Sequence, residues 1–546
     1  MSASVETRWV GELTPRGAEL TAAGPFVLAG IEWAGPATPR VELRAKGPDG
    51  SWTRWALAST QGHDGEGPAH ARFGEPVWTG PAVALALRSD RPVSGLSVHL
   101  VDAPEGPRVI SDAARATLSS VQLPAGAGQP PIIARKAWAG SQDPPGAMPA
   151  YGNVALAFVH HSENANGYSA AQVPGMLSAI YKFHRYARGW HDIGYNFLID
   201  NFGRIWEGRA GGIDQAVMGA QAGAYNLEST GVAMLGSYGS VLPSSAALNA
   251  LARLLAWKLP LHGVPVTGTT VVEVQPGDAG YTPFKPRQRV RLKRISGHRD
   301  GDSTDCPGAA LYAHLPKLRS DTAGLLAKAG PQPLLRLGFL PGPGVKLTGP
   351  TDLAADTAEI HAGTPVALHG VLTQLNGDGS PGAPIPGVSV ALQSVVGSAG
   401  NDVPVSVTPP GAQPTSVLST GADGSFQASL STNSNLLVRA LRSDSPAVAS
   451  ALVVIAVTPS VTLTRAPGPA VSVAGTVSAN KPKVLIEVWK YGAKTPKLVQ
   501  HHTVAVHNGS FGARLKLGRG SYALRATTPA DSHNAAGVSP RLTLSV

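Results

Sequence analysis

The residues of this chain that can do metal chemistry lie in one short segment. Residues 297–308 (GHRDGDSTDCPG) contain His298 and the only cysteine of the chain, Cys306. A third ligand must come from elsewhere, and the pair His160-His161 follows an apolar run that is typical of a strand. Because successive side chains of a strand point to opposite faces, at most one of this pair can face a metal. Imidazole nitrogen and thiolate sulfur suit Zn²⁺, and three protein ligands leave the fourth tetrahedral position open, as in catalytic zinc sites.

Two other interpretations of this segment stay open on spacing alone. His298 can be an ordinary loop histidine and Cys306 a buried small apolar residue. Asp300, Asp302 and Asp305 resemble a calcium loop, although their spacing differs from that of an EF-hand and the closing glutamate is missing.

A glutamate base is not visible in the sequence. No glutamate stands in an HExxH arrangement, so a thermolysin-like base is not expected. Glu163 is the acid nearest to the histidine pair, and we expect it to be a solvated loop carboxylate.

The elements that position these residues are predicted by hydrophobic spacing. Residues 132–325 mix short apolar strands with helices, chiefly at 169–188 and at 244–259, where Ser244 or Ser245 is a plausible N-cap. This mixture predicts an α/β domain with a mixed central sheet and flanking helices. The segment 269–294 is expected to form a hairpin or a lid over the cleft.

The stretch before this domain is predicted to be β-rich. Residues 1–115 alternate with period two and predict an N-terminal β-sandwich, followed by a linker at 116–131. Four of its five tryptophans fall in or beside the predicted strands and are expected in the core of the sandwich, with a sugar-stacking platform as the alternative; these are Trp33, Trp52, Trp55 and Trp78.

The stretch after the α/β domain contains a faint internal repeat. Following a Pro/Gly-rich linker at 326–350, the motif DGSFQASL at 423–430 recurs as NGSFGARL at 508–515. The spacing is that of one β-sandwich and indicates two Ig-like β-sandwiches, which span 351–457 and 458–546. The fold class is therefore multidomain, with one α/β domain and three β-sandwiches.

Composition and charge restrict the partners. The 546 residues carry 45 Lys and Arg against 35 Asp and Glu, a formal charge of +10, which favours polyanionic partners or serves solubility alone. No basic helix interleaved with aromatic residues is present, so nucleic acid is not expected as a partner. One cysteine excludes an intrachain disulfide. No apolar run is long enough for a transmembrane helix, and no signal peptide is recognisable.

Several segments together resemble a known family. They are FVHHS at 158–162, FH at 183–184, GWHDIGYNF at 189–197, DNFGRIWEGR at 200–209, GA at 219–220, YN at 225–226, GVA at 231–233 and GHRD…TDCPG at 297–308. Over residues 132–320 the chain resembles the zinc amidase family that peptidoglycan recognition proteins share with phage-type amidases.

The resemblance implies roles for individual residues. His160, His298 and Cys306 would be the Zn²⁺ ligands, Tyr195 would lie beside the reacting carbonyl, and Thr304 would occupy an auxiliary catalytic position. Gln221 departs from the Gly-Ala-His that many members have. The expected substrate groove comprises His161, His184, Trp190, Trp206, Arg209, Gln221 and Asn226.

The resemblance also implies a function. We expect an N-acetylmuramoyl-L-alanine amidase that hydrolyses the amide bond between N-acetylmuramic acid and L-alanine in peptidoglycan. The alternatives are a non-catalytic peptidoglycan-binding recognition protein and a phage-type endolysin. The expected partners are the glycan and stem peptide of peptidoglycan, with anionic wall polymers as further candidates, and the expected location is extracellular or in the cell wall.

Overall fold

The computed structural model divides the chain into two compact units. One comprises 1–336, 373–384 and 447–451, and the other comprises 337–372, 385–446 and 452–546. The residues that the structure describes are 5–34, 39–58, 72–103, 128–147, 149–276, 281–348, 357–396, 401–404, 407–450, 453–467, 471–478, 481–491, 496–528 and 537–546. Most of the linker predicted at 116–131 lies outside these residues. No helix within the described ranges combines the length and the apolarity that crossing a bilayer requires.

The N-terminal part of the first unit is a seven-stranded antiparallel sheet. Its strands are β1 (Val5–Leu13), β2 (Ala18–Trp33), β3 (Val41–Lys46), β4 (Ala56–Ala58), β5 (Arg72–Phe73), β6 (Val77–Ser89) and β7 (Val93–Val101). They are ordered β1-β7-β2-β6-β3-β4, with β5 paired to β2. The predicted sandwich is wrong in one respect, because hydrogen bonds join all seven strands into one sheet. The 16-residue β2 pairs with β6 on one side and β7 on the other, with register irregularities near Phe26.

Alternating side chains of this sheet form its core. Strand β3 alternates between buried and half-buried positions, as its period-two pattern predicts. Trp33 and Trp78 are buried, whereas Trp52 and Trp55 are only half-buried. Core packing therefore accounts for two of the four tryptophans.

A mixed six-stranded sheet forms the centre of the second part of this unit. Its strands are β8 (Ile132–Ile133), β9 (Leu156–His161), β10 (Phe197–Ile199), β11 (Ile205–Glu207), β12 (Ser229–Met234) and β15 (Ile295–Gly297), in the order β15-β9-β12-β10-β11-β8. Strand β9 is parallel to both of its neighbours, and all six of its residues are buried. Fully buried apolar strands of this kind are typical of sheets that are covered on both faces.

Helices accompany this sheet largely where their spacing predicts them. They are α1 (Lys136–Ala139), α2 (Val173–Lys182), α3 (Ser245–Leu261) and α4 (Ala309–Ala329). Helix α2 continues as one turn of π-helix, Phe183–Ala187. Ser244 is the N-cap of α3, and its hydroxyl accepts a hydrogen bond from the Ala247 amide at 3.1 Å.

The segment before the cysteine loop is a hairpin. Strands β13 (Thr269–Glu273) and β14 (Arg289–Lys293) pair antiparallel. Val272, Val290 and Leu292 share a core with Phe158 and Tyr225. Thr282 lies between the two strands, and its hydroxyl is 2.9 Å from that of Tyr225, which donates to the Gly301 carbonyl at 3.2 Å.

The linker predicted at 326–350 is wrong in part. Helix α4 extends to Ala329, and the strands β16 (Pro333–Leu340) and β17 (Val345–Thr348) follow it. Leu334, Leu335 and Phe339 are buried, and this apolar content outweighs the turn-forming residues between them.

The remaining strands form the sheets of the C-terminal part. They are β18 (Thr357–His361), β19 (Val366–Leu375), β20 (Pro381–Pro384), β21 (Ser389–Val396), β22 (Asn401–Pro404), β23 (Val417–Ser419), β24 (Ser425–Leu430), β25 (Leu436–Arg442), β26 (Ser445–Ala449), β27 (Val453–Thr458), β28 (Thr464–Arg465), β29 (Ser472–Thr476), β30 (Lys483–Lys490), β31 (Lys497–Ala505), β32 (Ser510–Arg514), β33 (Ser521–Thr528), β34 (Gly537–Val538) and β35 (Leu542–Ser545). Sheet β28-β29-β32 and the sheet built on β31-β30-β33-β34 contribute side chains to one core.

The internal repeat has a structural counterpart. Phe426 on β24 is paired with Gly370 on β19, and Phe511 on β32 is paired with Gly475 on β29. In both pairs the phenyl ring lies where a β-carbon of the partner would be, so only glycine leaves room for it. The two repeated motifs therefore occupy equivalent positions in two strand pairs.

Candidate metal centre

Three ligand-type side chains converge at the end of β9. One donor atom from each of His160, His298 and Cys306 lies within 4.8 Å of the other two. The imidazole centroids of His160 and His298 are 4.5 Å apart, and Cys306 Sγ lies 3.6 Å from His160 Nδ1. Zinc–nitrogen and zinc–sulfur bonds at a tetrahedral angle place the two donor atoms roughly 3.6 Å apart. The cluster therefore fits a zinc ion with two imidazoles and one thiolate.

Gln221 orients the first of these histidines. Its side-chain oxygen is hydrogen bonded to His160 Nε2, and its side-chain amide donates to Ser229 Oγ at 2.9 Å. Ser229 in turn donates to the Tyr225 carbonyl at 2.8 Å, so the Gln221 oxygen is the acceptor. His160 then carries its proton on Nε2 and presents Nδ1 to Cys306. Gln221, which departs from the family pattern, thus supports a ligand.

Asp302 orients the second histidine in the same way. Its Oδ2 lies 2.9 Å from His298 Nε2, which leaves Nδ1 as the ligand atom. Both side chains are buried, and burial raises the pKa of Asp302 to about 7. Burial, together with the nearby His161, lowers the pKa of His298 to about 3, so this imidazole is neutral. Neutral imidazole is the form that binds a metal.

The loop after His298 brings Cys306 back to the cluster. The Arg299 amide donates to the Cys306 carbonyl at 3.0 Å, and the His161 amide donates to Cys306 Sγ at 3.4 Å. Burial raises the pKa of the Cys306 thiol well above its ordinary value. A metal cation at the cluster would offset this cost, because it binds the thiolate directly.

Tyr195 lies directly beside the ligands. Its ring centroid is 5.4 Å from that of His160, and its side chain is buried. Burial is also the main reason why the pKa of its hydroxyl is raised well above the ordinary value, which keeps the phenol protonated. A neutral phenol can donate one hydrogen bond and accept others.

Thr304 is the other residue that we expected to take part in catalysis. Its hydroxyl accepts a hydrogen bond from the Cys306 amide at 3.2 Å, so it lies in the turn that carries the thiol. Asp300 accepts from the Gly297 amide and the Tyr312 hydroxyl, whereas Asp302 binds His298. These two carboxylates serve different partners, which disfavours the calcium-loop interpretation.

The second histidine of the pair points away from the cluster. His161 Nε2 lies 3.0 Å from Glu163 Oε1, and His161 Nδ1 accepts a hydrogen bond from the Tyr238 amide at 3.4 Å. The side chain of Glu163 is only 9% exposed. The expectation of a solvated Glu163 is therefore wrong, because this carboxylate turns inward to pair with His161.

The seven residues expected in a substrate groove are buried, so none forms an open surface. His161 and Gln221 contact the residues around the cluster as described above. Trp206 Nε1 donates to Asp200, Arg209 donates to the Ile193 carbonyl, and Asn226 accepts from the amides of residues 221 and 222. His184 stacks on Trp190 with ring centroids 4.6 Å apart and accepts a hydrogen bond from the Gly194 amide. These side chains hold the loops around the cluster in place.

An open groove lies elsewhere on the first unit. It has a volume of about 780 Å³ and runs between the N-terminal sheet and the loop that follows β9. The sheet contributes Trp55 and Trp78, and the loop contributes Glu163 and Tyr168. Arg44 and Arg88 stack on the Trp55 ring at 4.8 and 4.3 Å. Arg54 also lines the groove, which therefore offers aromatic faces, a cationic group and a carboxylate close to the histidine pair.

Sequence reasoning missed three carboxylates around the cluster. Asp302 was considered only as a calcium ligand, and Glu163 only as a solvated residue. Glu75, in the N-terminal part, is buried and lies 3.2 Å from the Tyr195 hydroxyl. The short spacing between His298 and Asp302 is a signal that could have identified the first, whereas no local pattern marks Glu75.

Part of the chain is similar to known proteins. Residues 150–309 match the N-acetylmuramoyl-L-alanine amidase family. Peptidoglycan-recognition protein SC2 of Drosophila simulans is 30% identical over 182 residues, which is 33% of this chain and 82% of that protein. The N-acetylmuramoyl-L-alanine amidase of Sus scrofa is 32% identical over 136 residues, 25% of this chain and 18% of that protein. Among solved structures, wild-type Drosophila PGRP-LB matches at 27% identity with a TM-score of 0.26, covering 34% of this chain and 91% of that one.

The chain belongs, through about a third of its length, to the family of N-acetylmuramoyl-L-alanine amidases and peptidoglycan-recognition proteins. The rest of the described chain consists of additional strand-rich regions.

Proposed function

We propose that this protein is a zinc-dependent N-acetylmuramoyl-L-alanine amidase that cleaves the bond between the lactyl group of N-acetylmuramic acid and L-alanine. The convergence of His160, His298 and Cys306 next to Tyr195 carries this proposal. A purely recognising protein needs no such donor set, and the buried thiol would be unfavourable to ionise without a cation. The N-terminal sheet and the two C-terminal β-sandwich modules would be spacers or wall-association modules.

The chemistry follows from the donor set and its supports. A zinc ion bound here would supply a Lewis acid for the amide carbonyl and lower the pKa of a coordinated water. Gln221 and Asp302 hold the two imidazoles by Nε2, which leaves each Nδ1 available as a ligand, and such partners tune metal affinity. Tyr195 is positioned to hydrogen bond to the attacking water or to the substrate carbonyl. Thr304 shapes the turn that presents Cys306.

The substrate would lie in the groove that ends near Glu163. Its half-buried Trp55 offers a ring face on which a sugar can stack, and Arg54 in its lining offers a positive charge for a stem-peptide carboxylate. The formal charge of +10 favours anionic wall polymers as further partners. Both features fit a protein that works in the extracellular cell wall.

Mass spectrometry of muropeptides released from purified peptidoglycan tests the proposal. We expect free stem peptides with an L-alanine amino terminus, together with glycan strands that keep their lactyl groups. A chelator should abolish the release, and added Zn²⁺ should restore it. The variants Cys306→Ala and Tyr195→Phe should lose most activity. Binding of peptidoglycan without release would support the non-catalytic alternative and exclude the amidase.

A further inference from the structure

A loop of the N-terminal sheet reaches the catalytic tyrosine. Glu75 lies between β5 and β6, and only 5% of it is exposed. Its Oε2 accepts a hydrogen bond from the Tyr195 hydroxyl at 3.2 Å. Its Oε1 lies 3.2 Å from Arg188 Nη2, which also donates to the Gly74 carbonyl at 2.9 Å. A carboxylate from one part of the unit is thus fixed between two side chains of the other.

The surrounding packing holds this loop on the amidase part. The Gly74 amide donates to the Ile31 carbonyl on β2, and the Trp78 amide donates to Asn164 Oδ1 at 2.8 Å. Phe183, in the π-turn after α2, packs edge-on against Phe73, with ring centroids 6.4 Å apart. Side chains of the sheet and of α2 belong to one continuous core. The position of Glu75 therefore follows from an extensive contact rather than from a loose loop.

Arg188 accounts for the buried carboxylate. Its guanidinium stacks on Phe73, Phe183 and Trp190 at 4.8 to 5.6 Å, and its side chain is 2% exposed. Burial raises the pKa of Glu75, and the charge of Arg188 opposes that rise. A buried ion pair with further hydrogen bonds is tolerated where an isolated buried charge is not.

We propose that Glu75 is a positioning residue of the hydrolytic site, supplied by the N-terminal sheet, and that it acts through Tyr195. A carboxylate only accepts hydrogen bonds, so the single Tyr195 proton is directed to Glu75. The lone pairs of the phenol oxygen are then left for the reacting groups, and Tyr195 accepts a hydrogen bond from the attacking water. This inference rests on the proposed amidase function and adds to it that the catalytic site is built from two parts of the chain.

A double-mutant cycle in the full-length protein tests the proposal. Glu75→Gln keeps the size of the side chain, and we expect it to lower kcat about tenfold to a hundredfold with KM nearly unchanged, since misplacing a reacting group costs rates of this order. In the Tyr195→Phe background the same substitution should have almost no further effect, because the hydroxyl through which Glu75 acts is gone. Glu75→Asp should recover part of kcat.

A substitution that only weakens the packing between the N-terminal sheet and the amidase part would not depend on Tyr195. His99→Ala loosens the same interface, since His99 packs 6.1 Å from the Phe183 ring, but His99 makes no contact with Glu75 or Tyr195 in the described structure. His99→Ala should therefore lower kcat by the same factor in the wild type and in the Tyr195→Phe variant. Zinc stoichiometry measured by calorimetry should stay at one ion in every variant.

The outcomes separate the two proposals. Suppose that the wild type is active and that the double variant loses kcat by the product of the two single losses. This result would overturn the role of Glu75 and leave the proposed amidase function standing. An inactive, zinc-loaded wild type would overturn the proposed function itself. A Glu75→Gln protein with unchanged kcat would also exclude the positioning role.

Discussion

Asp302 Oδ2 lies 2.9 Å from His298 Nε2, and both side chains are buried. The carboxylate fixes the imidazole so that its other nitrogen, Nδ1, faces the His160 and Cys306 side chains. We therefore predict that Asp302→Leu lowers zinc affinity about tenfold to a hundredfold, the range found when such outer partners are removed. Competition with a chromophoric chelator measures this. Asp305→Leu makes the same change at an exposed position of the loop and should leave affinity unchanged, and equal losses in both variants would refute the assignment.

Gln221 has the equivalent role for His160 and gives a second prediction. Gln221→Leu removes the acceptor of His160 Nε2, so we expect weaker zinc binding and a fall in activity that saturating Zn²⁺ largely restores. Gln221→Glu keeps an acceptor oxygen and should retain affinity. Calorimetric zinc titrations of both variants distinguish them. If leucine is tolerated as well as glutamate, the Gln221 contact does not hold the ligand.

Metal binding should stabilise one unit of the protein selectively. The three ligands all belong to the unit that contains 1–336, so only its thermal transition should respond to zinc. At free zinc about a thousandfold above Kd the stabilisation is about 4 kcal/mol. Differential scanning calorimetry with and without chelator measures it. Cys306→Ala should abolish most of the shift, and a shift that persists in this variant would mean that zinc binds elsewhere.

The buried His184 should make stability depend on pH. Burial, with Arg188 and Arg209 nearby, lowers its pKa well below the ordinary value, so it stays neutral in the fold while the unfolded chain protonates. Its contribution is present above about pH 6.5 and decreases as pH falls, by about 1.4 kcal/mol per unit. His184→Asn can keep the hydrogen bond from Gly194 and does not titrate. From about pH 6.5 to about pH 5 the free-energy difference between wild type and variant should narrow by about 2 kcal/mol. An equal difference in unfolding free energy between wild type and His184→Asn at the two pH values would contradict this.

The groove predicts a separation of binding from catalysis. Trp55→Ala should raise KM several-fold and leave kcat close to wild type, because an aromatic stacking contact contributes about 1 kcal/mol. Trp52→Ala is the matched control, since Trp52 also stacks on Arg44 but does not line the groove. Steady-state kinetics on defined muropeptides provides the measurement. Equal effects of the two substitutions would place the substrate elsewhere.

Local signals predicted the elements well. The serine cap of α3 follows from a few adjacent residues, and it is present. The arrangement of the N-terminal strands depends on pairings between distant segments, and here the predicted sandwich had to be corrected to one sheet. The apolar residues of β16 were outweighed in the prediction by the prolines and glycines around them.

Residues of the candidate site were predictable from the sequence where they lie close together along the chain. His298 and Cys306 share one loop, and the resemblance to a family supplied His160 and Tyr195. Glu75 precedes Tyr195 by 120 residues and lies in a loop of the N-terminal part, so no spacing rule connects the two. Residues that act across such distances are visible only once the chain is folded.

Gly30 allows the N-terminal sheet to pack closely against Phe183. On β2 it has no side chain, and a β-carbon there would overlap the ring of Phe183. Any larger residue would push the sheet away from the π-turn and would displace Glu75 with it. In an unbiased screen for lost lytic activity, we expect inactivating alleles at this codon, more than a hundred residues upstream of every zinc ligand.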